Sequence, residues 1–367
     1  MPIFMDRHNL PGVTLQDAAD AHHKDVELQN NHNCKALTYW VDEERDNAFC
    51  LIEAPNKEAV RALHNNAHGL IPHEIIEVDP NVVNAFLGRI NDPSPRLDES
   101  LNQIFDSAYR VIMVIESSNF LNRVESHQFT LFSQKFHNSV NKSIQKFDGR
   151  IVLLDNNSYL VSFDSVTNAV FCALKIQSNF KYITPKFDSY LRRLKIGLSI
   201  GAPVTSKKNL FEEAINLSTY MCEVIKEQVV LSSEIKKIYD HENHNAFLTK
   251  EEVRVLKPKE ERFLFQLMEF INSRWHDHEL TVEDFSIHLS YSRSQVYRKF
   301  MNLTGKSPNA FLRDFRLHRA LRLLYDQKGN ISEIAFESGF NSPAYFSKCF
   351  YEKYNILPSK YLQQHVY

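Results

Sequence analysis

The sequence lacks the features that assign many chains to a class. Its five cysteines are odd in number, scattered and never in CxxC spacing, which argues against a disulfide framework and favours a reducing compartment. No apolar run approaches the ~20 residues that cross a bilayer, and no signal-peptide segment opens the chain. No glycine-rich phosphate loop, nucleophile elbow or zinc-finger spacing occurs. We therefore expect a cytoplasmic protein that makes no membrane contact.

Length and charge indicate several domains with different partners. The 367 residues are long for one core and predict two or three domains. The net charge of −2 hides a gradient along the chain. Residues 1–90 hold 7 basic and 14 acidic side chains, whereas residues 259–367 hold 15 basic and 12 acidic ones. The basic C-terminal end is where contact with nucleic-acid phosphates is expected.

Residues 280–361 have the pattern of two helix-turn-helix units joined by a long helix. In the first unit Thr281 caps a helix, a break follows at 290–292, and a second helix begins at Arg293. The second unit repeats this plan fifty residues later. The joining helix begins at Pro308, and its roughly 18 residues span about 27 Å. That length is comparable with the ~34 Å between successive major-groove faces of DNA, so the spacing predicts two recognition helices in adjacent grooves.

Short motifs in this region carry a specific resemblance. They are Ile331-Ser332-Glu333-Ile334-Ala335, Gly339-Phe340, Ser342, Tyr345-Phe346-Ser347, Phe350 and Pro358-Ser359-Lys360-Tyr361. They resemble the C-terminal signature of the AraC/XylS family of bacterial transcription regulators, over about residues 262–362. The resemblance implies an all-α double helix-turn-helix domain at 259–367 that binds double-stranded DNA. Asn355 stands where the family has glycine, and because asparagine tolerates the left-handed conformation we expect the turn to survive.

The same resemblance implies which side chains face the groove. In the two recognition helices they are Arg293, Ser294, Tyr297 and Arg298, and then Ala344, Ser347 and Lys348. Arginine at 298 suits a bidentate contact with guanine, whereas Arg293 and Lys348 suit phosphates. The short residues of the second helix predict weaker direct base readout there. The alternative interpretation is that these basic residues form a solvated helix face.

Residues 1–90 alternate strand and helix patterns in the order βαββαβ, which is that of a ferredoxin-like sandwich. They contain seven of the chain's 16 histidines. His64 and His68 are four apart on a predicted helix and so share a face. Imidazole nitrogens together with the Cys50 thiolate suit a transition metal such as nickel or zinc. The alternative is that the histidines are exposed on a polar surface.

Motifs in this segment also resemble a known family. They include Met5-Asp6, Leu10-Pro11-Gly12, Ala21-His22, Asp25, Tyr39-Trp40-Val41-Asp42-Glu43, Phe49-Cys50-Leu51, Glu53-Ala54-Pro55, His64, His68-Gly69 and Ile75-Ile76-Glu77-Val78. The family is one of small ferredoxin-like domains, of which a member is known as a nickel-binding protein. The resemblance suggests His22, Cys50, His64 and His68 as ligands of nickel or another divalent transition metal. Binding of another small effector stays open.

After a linker at Asn91–Pro95, residues 96–240 resemble the class III nucleotide cyclase fold. The resemblance is carried by Phe163, Ala169, Ala173-Leu174-Lys175-Ile176-Gln177, Lys195-Ile196-Gly197-Leu198-Ser199-Ile200-Gly201 and Asn216. Such enzymes hold a metal pair between two carboxylates. Glu116 stands near the first position, but Asn156-Asn157 occupies the second. The resemblance therefore implies an α+β domain without catalysis that dimerises or senses, followed by a charged hinge at 241–259.

These observations predict a multidomain α+β chain with a ferredoxin-like domain at 1–90, a degenerate cyclase-like domain at 96–240 and the DNA-binding domain at 259–367. The leading hypothesis is a sequence-specific transcription regulator that is not an enzyme. It is controlled by a metal or small-molecule effector, contacts RNA polymerase if it is an activator, and is expected to form a homodimer. Two alternatives remain: a metal-binding adaptor or buffer with secondary DNA contact, and a DNA-linked nucleotide cyclase.

Overall fold

The computed structural model describes residues 1–93, 103–119, 126–155, 158–183, 192–244, 248–249 and 251–363. Two features of the sequence prediction lie outside these residues: the end of the predicted linker at Ser94-Pro95 and the asparagines Asn156-Asn157. The described residues form three units in chain order, two of them built on β-sheets and the third entirely helical. Among the described residues, none of the helices is both long and apolar enough to cross a membrane.

The first unit is a four-stranded antiparallel sheet with strand order β2-β3-β1-β4. Its elements are β1 Ile3–Asn9, α1 Leu15–Leu28, β2 Lys35–Asp42, β3 Asn47–Glu53, α2 Lys57–Ala67 and β4 Glu74–Val78. Thr14 begins α1 with a capping box to Asp17, and Asn56 caps α2. The order of elements and the strand order confirm the predicted βαββαβ ferredoxin-like arrangement.

A short helix that the sequence analysis did not predict links the first unit to the second. This helix, α3, spans Pro80–Leu87, is capped by Asp79 and ends at Gly88, whose φ of 80° is left-handed. It packs against the second sheet. Side chains of the first sheet, such as Met5 and Trp40, share a buried cluster with those of the second unit. The first two units therefore have a common core.

The second unit is a six-stranded sheet with strand order β10-β9-β8-β5-β7-β6. Its elements are β5 Arg110–Asn119, α4 Ser126–Lys146, β6 Arg150–Asp155, β7 Ser158–Phe163, α5 Val166–Ile183, β8 Arg192–Gly201, α6 Glu212–Val224, β9 Val229–Leu231, α7 Ser233–Glu242 and β10 Arg254–Val255. The elements from β5 to β8 again follow the βαββαβ order. Strand β9 then pairs with β8 in parallel, and β10 pairs with β9 in parallel. The cyclase resemblance of this unit stays a prediction.

Part of the segment predicted as a charged hinge belongs to this sheet. Residues 254–255 pair with β9 as the edge strand β10, and Leu256 after them is 1% exposed. The backbone N–H of Leu256 donates to the carbonyl of Leu231 at 2.9 Å. The hinge prediction is wrong for these residues, because a two-residue strand is too short to show periodicity. The second unit accordingly extends past residue 240 to Val255.

The third unit consists of seven helices among the described residues. Their bounds are α8 Pro258–Arg274, α9 Val282–Leu289, α10 Arg293–Thr304, α11 Pro308–Tyr325, α12 Ile331–Glu337, α13 Pro343–Tyr354 and α14 Pro358–Gln363. The boundaries are set by capping residues: Ser292, Ser307, Asn330 and Ser342 begin helices with their side chains, and Gly305 ends α10 in the left-handed conformation. Asn355 takes the same conformation with φ 56°, as predicted.

The second and third units pack directly on each other. Met221 and Val224 of α6 share a buried cluster with Phe263 and Leu267 of α8. The N–H of Lys226 donates to the carbonyl at the end of α10, that of Leu303, at 3.0 Å. This contact involves the C-terminal end of α10 and leaves its N-terminal half uncovered.

Candidate nucleic-acid interface and metal centre

The first recognition helix, α10, is held by its apolar side and presents its polar side to solvent. Val296 and Phe300 are fully buried, and the Phe300 ring packs edge-to-face on Phe285 of α9 with centroids 5.4 Å apart. Tyr297 on the opposite side is 52% exposed. The other three predicted groove-facing residues of this helix, Arg293, Ser294 and Arg298, are exposed as well.

The second recognition helix, α13, repeats this arrangement. Phe346 and Phe350 are buried, whereas Ala344 and Lys348 are exposed and Ser347 is half-buried. Counted from the capping serines, the second, fifth and sixth residues are Ser294, Tyr297 and Arg298 in α10 and Ala344, Ser347 and Lys348 in α13. Six of the seven predicted contact residues therefore lie at equivalent positions of two tandem units, whereas the counterpart of Arg293 is Pro343.

The charges on this surface differ in how far they are neutralised. The guanidinium of Arg293 bonds the carboxylate of Glu283, and Lys348 Nζ lies 4.0 Å from Glu352 Oε1. Both pairs are exposed, so exchanging the carboxylate for a phosphate costs little. Arg298 forms no ion pair within the described part of the chain. Its guanidinium is the most available for a base edge.

One candidate contact residue escaped the sequence analysis. Tyr345 is 52% exposed and occupies the third position of α13, next to Ala344. Its equivalent in α10 is Gln295, which closes a capping box with Ser292. The signal in the sequence that could have identified Tyr345 is an aromatic residue at an otherwise polar position of a predicted recognition helix.

The arginines of the joining helix α11 are structural rather than available to DNA. Arg316 donates to the carbonyls of Trp275 at 2.8 Å and Asp277 at 2.6 Å. Arg319 donates to Glu223 Oε1 of the second unit at 3.4 Å. Both side chains are therefore held by neighbouring segments, Arg316 by the residues that follow α8 and Arg319 by α6.

A cluster of metal-ligating side chains lies between the first sheet and its helices. Asp6 and His8 point to the same face of β1 because they are two residues apart. Asp6 pairs with Cys50 across to β3, and His64 reaches them from α2. One potential ligand atom from each of these four residues lies within 4.8 Å of the others. The structure thus gathers two nitrogen donors, one oxygen and one sulfur.

A second group shares the same central histidine. His64 Nδ1 lies 3.1 Å from Asp25 Oδ2, and His68 Nε2 lies 3.3 Å from Asp25 Oδ1. On its other side, His64 Nε2 lies 2.9 Å from Asp6 Oδ2. His64 is therefore held between two buried carboxylates, which fix the ring and make both of its nitrogens interaction sites.

The predicted ligand set is only partly brought together. Cys50, His64 and His68 lie in the two groups, but His22 does not: its Nε2 lies 3.0 Å from Asp92 Oδ2, and its ring packs on Tyr39 at 5.1 Å. Sequence reasoning missed three members, namely Asp6, His8 and Asp25. The Asp-x-His spacing on a predicted strand was a usable signal for the first two.

The charges within this cluster are strongly coupled. Burial disfavours the charged form of His64, but the carboxylates of Asp6 and Asp25 outweigh it and raise the pKa of His64 to about 10. Burial also opposes ionisation of Asp6, yet the neighbouring His64 and His8 hold its pKa well below the usual range. Burial, together with Asp6 and Asp25, raises the pKa of the Cys50 thiol. A proton on His64 thus supplies, between the two carboxylates, the positive charge that a bound cation would supply.

His8 provides the structural test of whether a metal fits. Its side chain is 3% exposed, and neither ring nitrogen has a hydrogen-bond partner, although Nε2 lies 3.2 Å from Asp6 Oδ1. Buried imidazoles normally satisfy both nitrogens. His8, Cys50 and His68 also line a cavity of about 40 Å³. An unsatisfied buried nitrogen beside a carboxylate and a thiol is a donor set that suits nickel or zinc.

Comparisons with known proteins match both ends of the chain. Residues 285–364 match a family described as a helix-turn-helix domain. Residues 4–78 match the family described as nickel responsive protein SCO4226-like. The middle unit is covered by neither match.

Individual proteins are similar to parts of the chain. The transcriptional activator RhaS of Mannheimia succiniciproducens is 25% identical over 54% of this chain and 71% of its own. Histidine kinase P4 of Formosa agariphila is 38% identical over 28% of this chain and 7% of its own. The crystal structure of SCO4226 from Streptomyces coelicolor is 34% identical, covering 21% of this chain and 94% of that one with a TM-score of 0.20.

The chain spans 7%, 28% and 33% of the length of the first three curated relatives, so its likeness to them is confined to part of each protein. At that level it is clear. The chain carries a helix-turn-helix domain of the AraC type at its C-terminal end and an SCO4226-like domain at its N-terminal end, and relatives such as the lactose operon transcription activator of Staphylococcus xylosus are named as transcription regulators.

Proposed function

We propose that the protein is a sequence-specific transcription regulator whose DNA binding is controlled by a divalent transition metal, with nickel as the first candidate. The observation that carries the DNA-binding part is the repetition of the same three polar-side positions in α10 and α13, of which all are exposed except the half-buried Ser347. Two equivalent helices joined by a helix of about 27 Å match adjacent major grooves. Operator DNA is therefore the expected partner.

The contacts divide by chemistry. Arg298 is exposed and without an ion pair in the described structure, so it is assigned to base readout, with guanine as the preferred base. Arg293 and Lys348 exchange exposed carboxylate partners for phosphates and position the protein without reading sequence. Ala344 and Ser347 offer only short side chains, so most direct specificity is assigned to the first unit.

Metal control is supported by the cluster around His64 and by the match to a nickel-responsive family. Asp6, His8, Cys50 and His64 would hold the ion, and His68 with Asp25 would orient His64 from behind. A bound ion supplies a positive charge that compensates these carboxylates. Binding of the metal would release the proton from His64, so the affinity of the site for metal is expected to rise with pH.

A continuous path of packed residues supports coupling between the two ends. The face of β1 opposite the cluster carries Met5, which belongs to the core shared with the second unit. The second unit in turn packs on α8 and on the end of α10. A metal that binds one arrangement of these units more tightly than another shifts the population of DNA-binding geometries.

The middle unit is assigned a connecting rather than a catalytic role. Glu116, the residue nearest to a metal-binding position of the cyclase pattern, lies next to Glu223 and the arginines of α11. A carboxylate engaged at an interface between units is poorly placed to hold a metal pair over a nucleotide. We therefore propose that the protein is not an enzyme. We also propose that it forms a homodimer and that, if it is an activator, it contacts RNA polymerase.

The DNA-binding part is tested by fluorescence anisotropy with DNA from upstream of the protein's own gene at fixed salt. Arg298→Ala is expected to weaken binding to the selected site by roughly 5- to 100-fold, the equivalent of about 1–3 kcal/mol, and to relax selectivity at one base pair. Arg262→Ala, an exposed arginine of α8, serves as the control and is expected to bind like the wild type. Equal binding to selected and scrambled DNA by the wild type would reject the proposal.

The metal part is tested by adding nickel to the same titration. His8→Ala is expected to lose at least tenfold in nickel affinity by calorimetry and to abolish any nickel-dependent change in DNA binding. His23→Ala is the matched control, because this histidine of the same unit is exposed and pairs only with Glu27. If DNA binding is selective but does not change with nickel, the DNA-binding part of the proposal stands and metal control is rejected.

A further inference from the structure

A cleft of about 440 Å³ lies between the first and second units. The first unit contributes the end of β2 and the short 3₁₀ turn at Glu43–Arg45. The second contributes the segment that leads into β5, together with parts of α5, β8 and α7. Small-molecule sites occur preferentially at domain interfaces, with volumes of roughly 300–1,000 Å³. The cleft therefore has the size and position of a ligand site.

Apolar side chains line a substantial part of this cleft. Phe105, Tyr109 and Ile238 all contribute to it. Phe105 is 61% exposed, a large value for phenylalanine, whose side chain is usually buried in folded proteins. The lining thus offers aromatic and aliphatic surface to a ligand with an apolar body.

Some of the charged groups in the cleft are already neutralised by partners. Asp42 pairs with Arg45 at 3.0 Å. Asp106 and Asp164 pair with Arg110 at 3.1 and 2.7 Å. These carboxylates hold the architecture of the cleft together and contribute little net charge to its interior.

The remaining carboxylates, Glu43, Glu44 and Glu242, have no cationic partner in the part of the chain that the structure describes. Glu43 accepts a hydrogen bond from the backbone N–H of Leu15 at 2.7 Å, and Glu242 accepts one from the hydroxyl of Thr167 at 2.5 Å. Leu15 begins α1, so the partly positive N-terminus of that helix compensates Glu43 in part. The hydroxyl of Thr167 supplies no positive charge to Glu242. The cleft therefore combines uncompensated negative charge with apolar surface.

We propose that this cleft binds a small organic cation with an apolar body, such as an amine that carries an aromatic or alkyl group. The carboxylates would form charge-assisted hydrogen bonds with the ammonium group, and the rings of Phe105 and Tyr109 would contact the apolar body. An anion of the same shape is repelled, and a neutral analogue lacks the charge-assisted bonds. The chemistry of the lining thus selects for positive charge.

The consequence for regulation rests on the proposed function. The walls of the cleft come from two units, so a ligand that binds one arrangement of them more tightly shifts the protein toward it. Because the second unit packs on the DNA-binding unit, such a ligand acts as a second effector beside the metal. Binding to the cleft itself does not depend on DNA.

The test uses the full chain without DNA and three probes that share one skeleton: 4-phenylbutylamine, 4-phenylbutanol and 4-phenylbutyrate. Calorimetry is expected to show the amine binding at least tenfold more tightly than the alcohol and the acid. Glu44→Gln and Glu242→Gln remove charge while keeping shape, and each is expected to weaken amine binding by about 1.5- to 5-fold, the range for an exposed charge pair. Glu58→Gln, an exposed glutamate of α2, is the control and should bind like the wild type.

Three results would overturn the proposal: equal affinity for amine and alcohol, wild-type affinity in both cleft variants, or no amine binding at millimolar concentration. Each titration is repeated with added magnesium to distinguish binding of the amine from binding of any cation. If magnesium at an equal concentration of charge displaces the amine, the cleft binds counterions without selectivity and the proposal fails. A failure of DNA binding in the anisotropy experiment would leave these affinities unchanged. The two proposals therefore fail independently.

Discussion

A buried ionisable residue, Glu116, lowers the stability of the folded protein when it becomes charged. Glu116 of β5 lies close to Glu223, and burial together with that second carboxylate raises the pKa of Glu116 to about 7, although Arg322 and Arg319 oppose the shift. In the unfolded chain a glutamate titrates near 4.3. Between these two values the folded state binds more protons than the unfolded state, so the stability of the fold decreases as pH rises.

Glu116→Gln removes this titration and keeps the side-chain shape. At pH 5 the variant should exceed the wild type in stability by no more than about 1 kcal/mol, and by pH 8 this advantage should grow by a further 1–3 kcal/mol or so, because the wild type must then ionise a buried carboxyl. Urea unfolding at the two pH values measures the difference. A variant whose advantage does not grow between pH 5 and pH 8 would show that the arginines fully compensate the charge.

At the scale of elements, helix ends explain why the third unit follows its sequence so closely. Four helices of this unit begin at a capping Ser or Asn whose side chain accepts a backbone hydrogen bond. The two recognition helices end with Gly305 and Asn355 in the left-handed conformation, with φ values of 71° and 56°. These local interactions need no distant partner, which is why the predicted and observed boundaries agree within a few residues.

The end of α13 gives a test at this scale. Asn355→Ala is expected to destabilise the protein by about 1 kcal/mol, because alanine has a Cβ and no side chain that favours the left-handed region. Asn355→Gly is expected to change stability by only a few tenths of a kcal/mol, because its better fit to this conformation is offset by greater freedom in the unfolded chain. Thermal unfolding of both variants compares them directly, and equal effects would refute this account of the turn.

At the scale of the whole molecule, the arginines of α11 tie the DNA-binding unit to the middle unit. Arg319 donates to Glu223 of α6 and stacks on Phe315 at 4.7 Å. The side chains of Arg319 and Glu223 are 21% and 15% exposed, so this ion pair is largely shielded from water. Truncating one partner of such a pair leaves the other charge poorly compensated.

Arg319→Ala is therefore expected to destabilise the protein by about 1–3 kcal/mol, whereas adding Glu223→Gln to it should recover part of the loss. Urea unfolding of the two single variants and the double variant gives the coupling energy. Arg298→Ala, which removes an exposed arginine of α10, should stay within about 0.5 kcal/mol of the wild type. A coupling energy near zero would mean that the contact does not hold the two units together.

The first unit and the DNA-binding unit were accessible from sequence because local signals specify them. Alternating strands, capping residues and turn residues fixed the βαββαβ order and the tandem helix-turn-helix, including the exposure of Arg298 and Lys348. Two elements were missed: β10, with two residues, is too short to show a periodic pattern, whereas α3 has a capping residue at Asp79, a proline at its first position and a glycine at its end, signals that were overlooked.

The sequence by itself determined the helices, their caps and the spacing of the two recognition helices, since these depend on residues only a few positions apart. Only the tertiary structure decided which titratable groups meet. Asp6, His8, Cys50 and His64 come from a strand, its neighbour and a helix, and His22 is drawn away to Asp92. The pairing of Arg319 with Glu223 and the cleft between the first two units depend in the same way on packing between distant segments, which no local pattern encodes.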